Sequence, residues 1–133
     1  MDQTIRVLVI DDSAYHRNMI KKMLSQSPFI EVIDIACDGE IALQMVAELN
    51  PDVVTLDMQM PTMDGITFLE KQMAIKRIPV VVVSYIDDGG TLTQKAMQLG
   101  AFAVVEKPTS TANDDLLKIG TDLIEKVKMA AKS

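Results

Sequence analysis

The sequence predicts an α/β domain: a parallel sheet covered by helices on both faces. Four short stretches carry this reading: Val7-Leu8-Val9-Ile10-Asp11-Asp12, Val53-Val54-Thr55-Leu56-Asp57, Val81-Val82-Val83-Ser84 and Val104-Val105-Glu106-Lys107-Pro108. In each, an apolar, β-branched run ends in a polar or charged residue, as a parallel strand buried on both faces does where it emerges at the carboxyl edge of its sheet. Between these runs, apolar residues switch to the 3.6-residue period of amphipathic helices. Strands alternating with helices imply a parallel sheet.

In chain order, the strands are expected at Arg6–Ile10, Glu31–Ile35, Val53–Leu56, Val80–Val83 and Ala103–Val105. Met19 and Met23 place a first helix after Asp12. Ile41, Ala42, Met45, Val46 and Leu49 define a second, and Ile66, Leu69 and Met73 a third. Leu92, Ala96 and Leu99 suggest a fourth, stopped by Gly100. Leu116, Ile119, Leu123 and Val127 suggest the last. Ser13, Asp38, Asp64 and Asn113 stand where side-chain oxygens can cap helix N-termini. Gly39 and Gly65 each follow an Asp at such an entrance. The pattern contains no internal repeat, low-complexity stretch or linker.

A chain of 133 residues with 48% hydrophobic content suits one compact folded domain. No apolar run approaches the roughly 20 residues of a membrane helix. The first residues, Met1-Asp2-Gln3-Thr4, lead straight into a strand and lack the parts of a signal peptide. The single Cys37 fits a reducing cytoplasm and is read as a buried small hydrophobe. The net charge of −6 provides no electrostatic footprint for nucleic acid. The 10 Met residues fall largely at helical core spacing.

Ligands of open α/β sheets bind outside the carboxyl ends of the strands. Asp11, Asp12, Asp57, Ser84 and Lys107 should therefore converge, though they are scattered along the chain. Ionising three carboxylates in one pocket is costly unless a cation neutralises them. Oxygen ligands select Mg²⁺, Ca²⁺ or Mn²⁺, and Mg²⁺ commonly uses one or two carboxylates, waters and phosphate oxygens. That leaves a carboxylate free to attack phosphorus and become an aspartyl phosphate. Lys107 would offset charge on the moving phosphoryl group, and Ser84 can donate to one of its oxygens.

These residues resemble the receiver domain of bacterial two-component response regulators over nearly the whole chain. The likeness rests on Asp11-Asp12, on Asp57-Met58-Gln59-Met60-Pro61-Thr62-Met63-Asp64-Gly65, on Ser84 and on Lys107-Pro108, in this order. It implies a flavodoxin-like fold with five strands in the order 2-1-3-4-5 and five helices. It implies that Asp57 accepts phosphate from a histidine kinase. It also implies Mg²⁺ held by Asp12, Asp57 and the Gln59 carbonyl, with Asp11 assisting. The wording around Asp57 and from Ser84 to Pro108 is most similar to the receivers of chemotaxis methylesterases, which precede a catalytic domain. Residues 1–133 are then one receiver domain without an output domain, either stand-alone or excised from the N-terminus of a chemotaxis protein-glutamate methylesterase, with no enzymatic activity of its own beyond phosphotransfer and dephosphorylation. Its partners would be a histidine kinase and an output partner or C-terminal effector domain, with neither nucleic acid nor membrane. The Lys107–Pro108 peptide is expected to be cis.

Two positions depart from the family pattern. Val104 stands where receivers usually carry a Tyr or Phe switch, and Tyr85 stands where a small residue usually leaves a path to the phosphoryl group. A valine offers little shape difference between rotamers, so the response should rest on Tyr85, with Phe102 as the other nearby aromatic, and on the loop Asp87-Asp88-Gly89-Gly90. His16 reads as a first-helix residue near the site but not a ligand. Two other functions compete: a Mg²⁺-dependent phosphohydrolase with an Asp nucleophile, and a degenerate receiver serving only as an interaction module. Against the hydrolase, the first strand ends in Asp-Asp-Ser, without the Asp-x-Asp arrangement of haloacid dehalogenase-type enzymes.

Overall fold

A computed structural model describes residues 4–60, 62–85, 90–107 and 113–133. The elements run β1 (Ile5–Ile10), α1 (Ala14–Leu24), β2 (Ile30–Ala36), α2 (Gly39–Leu49), β3 (Val53–Leu56), α3 (Gly65–Ile75), β4 (Val80–Ser84), α4 (Thr91–Gln98), β5 (Ala103–Glu106) and α5 (Asn113–Ala131). The sheet is parallel throughout, in the order β2-β1-β3-β4-β5. This is the flavodoxin-like arrangement, and every expected strand and helix is present. Each strand except β3 extends one residue beyond its expected span at one or both ends.

The two-residue alternation of side chains along a strand divides the core. Leu8, Ile10, Val54, Leu56, Val80 and Val82 face one side, against Ala42 and Val46 of α2, Phe68 and Leu69 of α3, and Ala96 of α4. Val7, Val9, Val53, Val81, Val83 and Val105 face the other, against Ile20 and Leu24 of α1 and Leu123, Val127 and Ala130 of α5. A strand buried on both faces is apolar at nearly every position, which is why β1 from Val7, β3 apart from Thr55 and β4 up to Ser84 read as near-continuous runs.

Three of the expected caps form. Ser13 Oγ accepts from His16 N–H at 3.3 Å, Asp38 Oδ1 from Ile41 N–H at 2.9 Å and Asp64 Oδ1 from Thr67 N–H at 2.8 Å. Asn113, expected as the fourth cap, is instead the first residue of α5. Gly100 ends the fourth helical segment with φ +110°, a conformation that L side chains rarely adopt. Cys37 is exposed, not buried. It follows Ala36, the last residue of the edge strand β2, in the turn leading to the Asp38 cap. The methionines fill less of the core than their spacing suggested. Met58 and Met63 are buried, whereas Met97 and Met129 are exposed on α4 and α5. Pro108, and with it the Lys107–Pro108 peptide, lies outside the described residues, as do Asp87, Asp88 and Gly89 of the loop before α4.

Gly65 has a role beyond helix entrance. A Cβ there would sit 2.7 Å from the Asp57 carbonyl oxygen and 2.7 Å from Met58 Cα, both backbone atoms. The Gly65 N–H also donates to the Met58 carbonyl at 3.0 Å. The start of α3 is thereby pressed against the chain as it leaves β3. Gly65→Ala should therefore destabilise the domain by about 1–3 kcal/mol, the usual cost of overpacking. Urea unfolding would measure this; an unchanged midpoint would show that the backbone contact yields without cost.

Candidate functional site

The strand ladders place the expected site residues. Asp11 N–H donates to the Ala36 carbonyl at 3.0 Å, Asp57 N–H to the Ile10 carbonyl at 3.0 Å and Lys107 N–H to the Ser84 carbonyl at 2.9 Å. Asp11, Asp57 and Lys107 thus each occupy the first position beyond a strand and are still pinned by one ladder hydrogen bond, while Ser84 is the last residue of β4. β1 and β3 are neighbours because the chain leaves β1 for one side of the sheet and later returns to the other. Such a switch point opens a crevice at the carboxyl edge. Asp11, Asp12 and Asp57 border it, and each offers a carboxylate oxygen within 4.8 Å of the other two.

Burial separates their roles. Asp11 and Asp57 are buried, as are Ser84 and Lys107, whereas Asp12 is exposed at the mouth. The Lys107 ammonium lies 2.8 Å from Asp11 Oδ2 and 3.4 Å from Asp57 Oδ2. The Asp11 contact is a close ion pair rather than a well-aligned hydrogen bond. Asp11 is further fixed through Oδ1, which accepts from Ser13 N–H at 2.9 Å. Its carbonyl accepts from the Arg17 guanidinium at 2.8 Å. Asp57 Oδ1 accepts from Gln59 N–H at 3.3 Å.

One cation between two buried carboxylates does not satisfy both. Burial first, and then the Asp11 charge, push the Asp57 carboxyl up to about 6, against the opposing pull of Lys107 and the Gln59 N–H. The pocket is short of positive charge, and its donors are hard oxygens. The side chains fit a divalent cation of the Mg²⁺, Ca²⁺ or Mn²⁺ class.

Three contacts were not legible in the sequence. Arg17 braces the Asp11 backbone from α1. His16, placed near the site by its helix, shares a hydrogen bond with the Tyr85 hydroxyl through Nε2 at 3.2 Å. The Tyr85 ring lies over Lys107, with the ammonium 5.5 Å from the ring centroid. The only prior signal for α1 was its position: the first turn after a strand-end site must border that site. Of the two departures, Val104 packs against the core cluster on the α2, α3 and α4 side of the sheet, while Phe102 packs against the cluster on the opposite side, with α1 and α5. Phe102 therefore does not replace an aromatic at position 104.

Comparisons with known proteins agree with this geometry. Residues 7–119 match the response regulator receiver domain. The chain is 41% identical over its full length to protein-glutamate methylesterase/protein-glutamine glutaminase 1 of Xanthomonas campestris pv. campestris, covering 37% of that protein. It is 47% identical over 95% of its length to the corresponding enzyme 2 of Koribacter versatilis, covering 35% of it. The chain thus spans little more than a third of these curated relatives. The crystal structure of the response regulator domain of Thermotoga maritima CheB matches with a TM-score of 0.89 at 33% identity, covering 98% of both chains. The CheX-CheY-BeF3-Mg²⁺ complex from Borrelia burgdorferi matches with a TM-score of 0.79 at 28% identity, covering 96% of this chain and 89% of that one. With a parallel 2-1-3-4-5 sheet, acidic residues at the ends of β1 and β3, and a lysine beyond β5, the chain belongs to the response regulator receiver domain family.

Proposed function

We propose that Asp57 is the phosphoacceptor of this receiver and that a histidine kinase is its donor. The single observation that carries this is the buried Asp57 carboxylate, held 3.4 Å from the Lys107 ammonium beside Asp11 and Asp12. In the transfer, an Asp57 oxygen forms a bond to phosphorus as the bond from phosphorus to the donor breaks. Lys107 offsets charge on the moving group, and Ser84 donates to one of its oxygens. Asp12, Asp57 and the Gln59 carbonyl would hold Mg²⁺, with Asp11 assisting. When bound, the ion neutralises the carboxylates and draws charge from the phosphoryl oxygens.

The phosphorylated domain would act by binding an output partner or a C-terminal effector domain. The likeness to methylesterases about three times as long favours one particular setting, in which residues 1–133 form the N-terminal regulatory domain of a chemotaxis protein-glutamate methylesterase. In that setting the receiver regulates and the esterase chemistry lies elsewhere. Among the described residues, no helix is long and apolar enough to cross a membrane, and a cytoplasmic location is part of the proposal.

Acetyl phosphate with Mg²⁺ should add one phosphoryl group, read by intact-protein mass spectrometry, and alkali or hydroxylamine should remove it. Asp57→Asn should take up none. Equal labelling of that variant would overturn the assignment of Asp57.

The charge imbalance has its own consequence. The folded carboxyl of Asp57 titrates near 6, and an unfolded one near 3.9. A raised folded value stabilises the protonated native state, fully below pH 4, and the benefit is lost as pH rises through 6. Without divalent ions, the stability of the native protein relative to Asp57→Asn should fall between pH 4 and 7, by at most about 3 kcal/mol. At pH 7, Mg²⁺ at 100 times its dissociation constant should return about 2.7 kcal/mol. A difference independent of pH and of Mg²⁺ in thermal or urea unfolding would contradict this account of the site.

A further inference from the structure

We infer that His16 is a positioning residue that holds the Tyr85 ring as a cover over the Lys107 side of the site, lengthening the life of the phosphoryl group on Asp57. The inference rests on Asp57 being the phosphoacceptor. Tyr85 follows the last residue of β4, and its hydroxyl reaches across to α1, where it is hydrogen-bonded to His16 Nε2 at 3.2 Å. The two rings meet edge to face, 6.0 Å apart, and the exposed Tyr15 ring packs edge-on against the far side of His16 at 5.3 Å. The span from β4 to α1 is thus closed by a side chain anchored at both ends.

Beneath it lies Lys107. Its ammonium is 5.5 Å from the centre of the Tyr85 ring and 3.4 Å from Asp57 Oδ2. Lys107 is 3% exposed and Tyr85 is 39% exposed, so the ring stands between the ammonium and solvent. Asp12, by contrast, is open. The site therefore has an open acidic mouth, through which an ion can approach, and a covered cationic side. Burial first, and then the Lys107 charge, lower the basicity of His16, while Asp11 and Asp12 act in the opposite sense. The neutral imidazole this favours can pair with a phenol as donor or acceptor.

Loss of the phosphoryl group proceeds by water. A water oxygen bonds to phosphorus as the bond to Asp57 breaks; the carboxylate leaves with the electron pair, inorganic phosphate departs and the water proton passes to solvent. A phosphoryl oxygen paired with Lys107 would lie under the Tyr85 ring, so water reaches that side only when the cover opens. One net hydrogen bond shifts such an equilibrium by about two- to tenfold.

The test uses Tyr85→Phe, His16→Ala, the double variant and His16→Gln, whose amide can again meet the Tyr85 hydroxyl. Each is phosphorylated with acetyl phosphate and Mg²⁺, the donor is removed, and phosphoryl decay is followed by mass spectrometry. Tyr85→Phe and His16→Ala should each speed decay by about two- to tenfold. The double variant should be no faster than either, and His16→Gln should return toward the native rate. A short pulse of acetic anhydride on the unphosphorylated proteins supplies a readout independent of Asp57. Acetylation of Lys107 should rise by a similar factor in the first three variants and not in His16→Gln. Native decay rates and native Lys107 reactivity in Tyr85→Phe and His16→Ala would overturn the inference. If the native protein takes up no phosphoryl group, the phosphoacceptor assignment fails and the lifetime role with it, while Lys107 reactivity still decides whether the cover exists.

Discussion

Lys107 is the charge on which the site depends. Its ammonium is the cation that the chain itself supplies between Asp11 and Asp57, and all three groups are buried. Removing one partner of a buried pair leaves an uncompensated charge and typically costs about 3–5 kcal/mol. Yet one ammonium between two carboxylates, with Asp12 at the rim, leaves the pocket acidic. That imbalance favours a divalent cation and a phosphoryl group in combination, because the first neutralises carboxylates and the second brings oxygens that Lys107 can meet. Asp57 shows the strain most directly, since burial and Asp11 keep its carboxyl near 6.

The fold delivers this constellation by very local means. Asp11, Asp57 and Lys107 each lie one step past a strand and retain a ladder hydrogen bond, and Ser84 is the last residue of β4, so their positions are set by sheet register rather than by a loop. Asp11 is held from the start of α1, by the backbone N–H of the Ser13 cap on its carboxylate and by the Arg17 side chain on its carbonyl. The α3 start is brought against Asp57 and Met58 by a residue without a side chain, Gly65. Sites supported by rigid elements in this way hold their geometry more closely than sites carried on long loops.

Strand runs ending in Asp11, Asp57, Ser84 and Lys107 were legible because burial on both faces demands a near-continuous apolar sequence, and the polar terminus breaks it. Ser13, Asp38 and Asp64 were legible as caps because their chemistry is local. The fourth candidate, Asn113, failed because a cap depends on where the helix begins, which composition alone does not fix. Cys37 was misread for a related reason. A small apolar residue beside a strand is buried only if something covers it, and Cys37 lies exposed in the turn after the edge strand β2. The His16–Tyr85 hydrogen bond joins residues 69 positions apart. No periodicity reports a contact of that kind, so the most informative departure from the family pattern could be noticed in the sequence but not explained there.

The pocket of Asp11, Asp12, Asp57 and Lys107 is short of positive charge, a deficit that a divalent cation would fill. The most direct measurement is the titration of the Asp57 side-chain carboxyl carbon by NMR, with and without Mg²⁺. A midpoint near 6 is expected without the ion, and one displaced well below it when Mg²⁺ saturates. A midpoint at the ordinary carboxylate value near 3.9, unmoved by Mg²⁺, would contradict it.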